Sequence, residues 1–310
     1  MPGFLTHYIG GQSALKSVDR EIGDCISSMG NLFNLGTQGP DIFFYYISGS
    51  LSKRIRGVGS QMHDADLGLF FINLADIIKN TACLKEQQII FAYTAGFLVH
   101  YAIDVHTHPY VYAQTANPPT SVINEASHHR HFETSVDVLM LDRVYSKKPN
   151  DYKQWQLILP EKSHKKIAAA ATSEAIRQVY SRNINPKDVY RAMGQMARLT
   201  KYLQSKTGRR KRWVGGAEQL ILRAKIISAL THMQEVTDGE DYLNEKNAAW
   251  GPPWLPEVAF TESFPELFES AVKDAAQMIQ ALYAYVQNSI PKAELSAQIQ
   301  NRSLKTGLNP

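Results

Sequence analysis

Residues Phe97 to Pro109 hold His100, Asp104 and His108 at steps of four, inside a long uncharged run that begins near Gln87. On an α-helix each step of four turns roughly 40° about the axis and rises about 6 Å. All three side chains therefore project from one face of what reads as a buried helix. Buried ionisable groups are costly unless paired, hydrogen-bonded or bound to a metal. A second cluster, His128-His129-Arg130-His131-Phe132-Glu133, sets His129 and Glu133 one turn apart on a shared face, as zinc-binding pairs on helices are. His128 and His131 lie about 100° and about 200° away from His129. Two such helices, facing each other across an irregular loop, would offer imidazole and carboxylate ligands without thiolate, the mix of catalytic zinc sites. With soft sulfur donors excluded, Zn2+ leads, and Mn2+ and Fe2+ remain possible.

The elements that must position these groups are helical almost throughout. Helical spacing runs over residues 12–28. Asn34-Leu35-Gly36-Thr37-Gln38-Gly39-Pro40-Asp41 is a turn-rich loop. Helices are predicted near 41–49, 60–79, 85–107, 128–146, 163–182, 186–204, 217–235 and 262–289, with a short one near 292–301. Pro109 is predicted to end the central helix, because the residue before a proline is pushed out of the α region. Strand-like alternation bounded by hairpin turns is missing, so the fold class is all-α. Residues 1–150 read as a metal-binding helical core, and residues 151–310 as helices packing on it within one large domain. Eight of the ten histidines lie in residues 1–131, which places the chemistry in the N-terminal part.

Composition narrows the class. An apolar fraction of 44% with 20% charged residues is that of a globular chain rather than a disordered one. A net charge of +4 is too weak for a dedicated nucleic-acid binder, and leaves room for transient contact with an anionic membrane surface or a phosphate-bearing substrate. Cys25 and Cys83 cannot build a disulfide scaffold or a zinc–thiolate site, and read as buried free thiols. The start, Met1 to His7, lacks the pattern of a secretory signal, and the uncharged run at 87–99 reads as too polar and short to span a membrane. The expectation is a cytoplasmic protein. Arg209-Arg210-Lys211-Arg212-Trp213 reads as a solvated connection, with a phosphate or anionic-lipid contact as the alternative. Trp250-Gly251-Pro252-Pro253-Trp254-Leu255-Pro256 cannot be helical and reads as an extended strap with its tryptophans on the core.

Taken together, His7, Gly39-Pro40-Asp41-Ile42-Phe43, Met62-His63, His100-Tyr101-Ala102-Ile103-Asp104 with His108-Pro109, and His129-Arg130-His131-Phe132-Glu133 resemble the bacterial zinc-dependent phospholipase C family. Order and residue types agree from residue 1 to about 135, and the long helices agree with that family's all-α fold. The resemblance implies up to three zinc ions. One would be held by Asp41, His63, His100 and Asp104. A second would share Asp104 and take His7 with the chain's own N-terminal amine and carbonyl. The third would be held by His108, His129 and Glu133. Asp104 to His108 is a shorter spacing than in that family, which leaves His106 as a competing ligand. Regular helix geometry prefers His108, since it continues the four-step series.

The activity implied is phosphodiester hydrolysis, splitting a phospholipid into diacylglycerol and a phosphorylated head group. Metal ions would neutralise the phosphate, lower the pKa of a bound water and stabilise the leaving alkoxide. Asp41 and Asp104 are the candidate catalytic carboxylates, Asp41 as a ligand or as the group that orients or deprotonates water. Of the aromatic run Phe43-Phe44-Tyr45-Tyr46, the residues Phe43, Tyr45 and Tyr46 are candidates for a substrate pocket, where aromatic faces suit a choline-like cation. Packing in the core is the competing role for this run. Asp137, one turn beyond Glu133, is a candidate outer partner for a metal-bound imidazole. The alternatives in function are a cytoplasmic phosphoesterase or nuclease-like enzyme on a non-lipid phosphoester, and a metal-stabilised binding module without turnover.

Overall fold

The computed structural model of the chain describes residues 3–47, 49–116, 125–203, 235–236 and 239–309. Its elements are α1 (Phe4–Leu15), α2 (Arg20–Ser27), α3 (Gly30–Gly36), a 3₁₀ turn at Gly39–Phe43, α4 (Ser52–Asp64), α5 (Leu67–Asn80), α6 (Leu84–Thr115) and α7 (Glu125–Tyr145). After a second 3₁₀ turn at Pro149–Asp151 follow α8 (Gln154–Leu157), α9 (Lys162–Tyr180), α10 (Pro186–Leu203), α11 (Phe264–Val286) and α12 (Lys292–Ile299). The fold class is all-α, as its sequence predicts. Among the described residues the only extended pairing is an isolated antiparallel bridge between Trp250 and Phe260.

The organising element is α6, 32 residues long and buried along almost its whole course. Its uncharged run explains this: with no charged side chain to keep in water, every face can be covered. α11 lies along it from the C-terminal half, and α3 crosses it in close contact. That crossing depends on two glycines. A Cβ at Gly36 would stand 2.2 Å from the Tyr93 carbonyl oxygen, and one at Gly96 would stand 2.1 Å from the Phe33 oxygen. Two backbones meet there without side chains between them, which brings the 3₁₀ turn that follows α3 onto the middle of α6. One apolar cluster runs from Phe4 to Leu304 through helices of both halves.

Several predicted boundaries move. The stretch 12–28 is two helices, broken between Leu15 and Arg20. Among the described residues of 41–49 no α-helix forms: Gly39 at a positive φ and Pro40 begin a tight turn that ends at Phe43. The predicted helix at 60–79 is also two. Ala65 is extended and Asp66 sits in the left-handed region at φ 61°, a conformation aspartate tolerates better than most residues. This break leaves His63 on the last turn of α4. α11 begins where its signals lie, with Ser263 and Glu266 forming a reciprocal cap and Pro265 in the first turn. The helix predicted at 217–235 falls almost wholly outside the described residues, as does the basic loop Arg209–Trp213.

By length and composition α6 could cross a membrane, contrary to the sequence expectation, but its apolar window is 94% buried inside the molecule. Cys25 and Cys83 are free thiols, and Cys83 is exposed rather than buried. The strap behaves as its prolines require. Trp250 is buried and donates its Nε1–H to the Glu262 carbonyl at 2.9 Å, while the Trp254 ring meets Tyr112 edge-on at 5.5 Å.

Candidate metal centre

α6 presents His100, Asp104 and His108 along one line, and it does so because the helix runs straight through Pro109 to Thr115. The expected stop does not occur. Proline removes one backbone donor, that to the Val105 carbonyl, and the packing around a buried helix outweighs a single lost hydrogen bond. His108 therefore keeps helical geometry and the same face as Asp104.

Four further segments close on that line. α1 carries His7, and its first turn is held by Asp137 of α7, which accepts from Leu5 N at 2.9 Å, Thr6 N at 2.8 Å and Thr6 Oγ1 at 2.6 Å. An anion at a helix N-terminus satisfies donors that have no partner within the helix. The 3₁₀ turn carries Asp41, and its Gly39 (φ 48°) has no room for a side chain, since a Cβ would stand 2.3 Å from the His100 ring. The end of α4 supplies His63, and α7 supplies His129 and Glu133.

Three groups of ligand-capable atoms result, each within 4.8 Å of one another: Asp41, His63 and His100; His7, His100 and Asp104; His108, His129 and Glu133. His100 joins the first two groups, and its ring stacks on His7 with centroids 4.1 Å apart. The N-terminal amine, expected from sequence beside His7, lies outside the described residues.

The outer hydrogen bonds decide what these atoms offer. Nδ1 of His63 faces the Gly59 carbonyl at 2.6 Å, Nδ1 of His100 faces the Thr37 carbonyl at 3.2 Å, and Nδ1 of His108 faces the Leu304 carbonyl. A carbonyl only accepts, so each ring carries its proton at Nδ1 and turns an Nε2 lone pair inward. For His129 the partner is Thr115 Oγ1 at 3.0 Å. That hydroxyl already donates to the Val111 carbonyl at 2.8 Å, so it accepts from His129. The inward Nε2 atoms then confront carboxylate oxygens: His63 to Asp41 Oδ1 at 3.3 Å, His100 to Asp104 Oδ2 at 3.1 Å, His129 to Glu133 Oε1 at 2.8 Å. His7 Nε2 lies 3.3 Å from Asp104 Oδ1. Lone pair facing lone pair is repulsive unless a cation lies between.

Asp104 is the extreme case. It is 0% exposed, and neither of its oxygens has a hydrogen-bond partner. Both ring nitrogens of His7 and the Nε2 atoms of His100 and His108 are likewise buried without one. An uncompensated buried ion costs several kcal/mol. Burial pushes the His108 imidazole down to about 3 and that of His129 to about 2, so both are neutral, the form that binds metal. A buried carboxylate without a hydrogen-bond partner, next to a neutral His108, leaves negative charge that a divalent cation would neutralise. The donor set, nitrogen and oxygen without sulfur, fits zinc.

Other sequence candidates lie elsewhere. His106 faces away from the line and meets Asp274 Oδ2 at 3.0 Å, so His108 is the histidine brought to Glu133. His131 pairs with the Tyr242 hydroxyl at 3.2 Å. Asp137 anchors the first turn of α1. Phe43 has no accessible surface, and Tyr46, 1% exposed, donates its hydroxyl to Asp188 at 2.9 Å, so both fill the core instead of a substrate pocket. Core packing, the competing role read from the sequence, is the one these two residues take. Phe44, passed over in that selection, has its ring 5.3 Å from His63. Tyr45 keeps some surface, and burial followed by the Asp41 charge pushes its hydroxyl up. Thr115 and the carbonyls of Thr37, Gly59 and Leu304 carry no signal in a single sequence.

A model of the zinc-dependent phospholipase C family matches residues 6–191, a span that contains His7, Asp41, His63, His100, Asp104, His108, His129 and Glu133. Searches of curated proteins and of solved structures gave no match.

Proposed function

Since the chain belongs to the zinc-dependent phospholipase C family, we propose that it hydrolyses a phospholipid between the glycerol oxygen and phosphorus, releasing diacylglycerol and a phosphorylated head group. The observation that carries this reading is the dry, unbonded Asp104 carboxylate ringed by imidazoles, an arrangement that only bound cations make tolerable. His63, His100, Asp41 and Asp104 would hold one zinc ion, His7 and Asp104 a second, and His108, His129 and Glu133 a third. Bound zinc supplies charge to the phosphate, acidifies a water and stabilises the leaving oxygen.

Exposure divides the work of the carboxylates. Asp104 has no contact with solvent, so it would hold metal and not exchange protons with water. Asp41 retains 14% of its side-chain surface and keeps a buried Oδ1 without a hydrogen-bond partner. It would orient the attacking water and take its proton. His129, 17% exposed, and Glu133, 9% exposed, also keep some contact with solvent. Phe44 beside His63, and Tyr112 with its ring 4.8 Å from His129, would offer aromatic faces to a cationic head group.

The test measures zinc on the same sample that is assayed against choline-, ethanolamine- and inositol-type phospholipids and a soluble phosphodiester. Zinc-dependent release of diacylglycerol is the expected result. Zinc-loaded protein that cleaves only the soluble diester would overturn the lipid assignment, and protein that takes up no zinc would overturn the reading as a whole.

A further inference from the structure

We infer that the segment Arg302–Gly307, nearly two hundred residues from the helix it serves, is a positioning strap that holds His108 in its metal-binding orientation. The inference rests on the metal reading above and goes beyond it. The segment lies outside the span matched by the family model, which ends at residue 191.

Three contacts put the strap there. The Leu304 carbonyl receives the His108 Nδ1–H, and Leu304 itself is 0% exposed. Ser303 donates its hydroxyl to the His63 carbonyl at 3.3 Å, so the same turn of chain touches a residue of the Asp41 group. Gly307 lies against the Val105 carbonyl, the one that Pro109 cannot serve. A Cβ at Gly307 would stand 2.6 Å from that oxygen, and its φ of 70° disfavours any other residue. The proline that should have ended α6 has instead opened a place on the helix where a foreign backbone packs.

The strap is fixed on both sides of Leu304. Arg302 N donates to the Tyr101 hydroxyl at 2.8 Å, and its guanidinium meets Asp274 of α11 at 2.8 Å. On the other side, Gly307 N donates to the Ser303 carbonyl at 2.9 Å, closing the turn that aims the Leu304 carbonyl. His100 and His63 take their outer carbonyls from nearby parts of the N-terminal half, and His129 takes a hydroxyl from α6. Among the described residues, the ring nitrogen of His108 takes its outer partner from the far end of the chain. Loss of an outer partner of a metal-bound histidine typically costs 10–100-fold in metal affinity.

The experiment follows zinc release from the full-length protein to a chromophoric chelator, with helical circular dichroism as the check on folding. Gly307→Ala adds one methyl where the strap meets α6. Arg302→Gln removes the charged anchor to Asp274 of α11. The expected result for both is release of about one third of the zinc roughly 10–100-fold faster, the remainder matching the parent, with unchanged helicity. Leu308→Ala, at a position 45% exposed, should release zinc as the parent does. Folded Gly307→Ala and Arg302→Gln proteins whose release curves superpose on that of the zinc-loaded parent would overturn the strap. A parent that binds no zinc would overturn the metal reading first, and the strap with it.

Discussion

Replacing Asp104 by asparagine keeps the shape of the side chain and removes its charge, and the effect should have opposite signs with and without zinc. In the metal-free protein the carboxylate is dry, with neither oxygen hydrogen-bonded. The asparagine amide can donate to the Nε2 of His100 or His7, so the metal-free variant should be at least as stable as the parent. With zinc the order reverses. A ligand present at about 1,000 times its dissociation constant adds about 4 kcal/mol per site, so losing both positions that Asp104 joins removes about 8 kcal/mol. At an unfolding entropy of about 2 cal/mol/K per residue, this chain length turns that into a Tm difference of roughly 12 °C. The assay is thermal unfolding of both proteins in chelator and in buffered zinc, with metal content measured in parallel and diester hydrolysis on the same samples. Hydrolysis should fall to background. An Asp104→Asn protein that keeps its full zinc content and the parent's zinc-induced rise in Tm would refute the reasoning.

Thr115→Val removes the oxygen that accepts the His129 Nδ1–H, and should weaken zinc in the His108–His129–Glu133 group by about 10–100-fold, read by competition with a chelator. Asp137→Ala leaves the first turn of α1 without its anion; loss of three hydrogen bonds to a buried carboxylate should cost about 3 kcal/mol in denaturant unfolding and release zinc near His7. Asp274 is held below the usual carboxylate range: burial opposes its charge, but hydrogen bonds from His106 and Arg302 outweigh it. Since its folded pKa lies below the unfolded one, its contribution is complete above the unfolded value near about 4 and lost as pH falls through the folded value. Asp274→Asn should therefore cost about 1–2 kcal/mol at pH 7 and progressively less in acid, seen as unfolding midpoints that converge.

The departures from the sequence reading share a cause. Period-based reasoning finds an amphipathic stretch but not its interruptions, so it joined α4 to α5 across Ala65 and Asp66, and it drew a helix through Phe43 and Tyr46 where a 3₁₀ turn ends at Phe43 and the chain beyond it buries Tyr46. At Pro109 a local rule met a tertiary one and lost: the packing that covers α6 on every side keeps it helical where an isolated peptide would break. The aromatic residues of the 43–46 run could not be sorted by role, because which of them faces His63 depends on the pitch of that turn.

Ligand chemistry, by contrast, is written in residue type and in short periods. His100, Asp104 and His108 at steps of four, and His129 with Glu133, have to share faces once their segments are helical, so the sequence alone determined an all-α chain with buried imidazoles and carboxylates in its N-terminal half. What only the tertiary structure decided is which atoms of those side chains are free to bind. That choice belongs to groups with no distinctive sequence: the carbonyls of Thr37, Gly59 and Leu304, the hydroxyl of Thr115, and the Asp137 carboxylate that pins α1. A backbone carbonyl is the same in every residue, so its position beside a ring nitrogen emerges only when distant segments of the chain have packed.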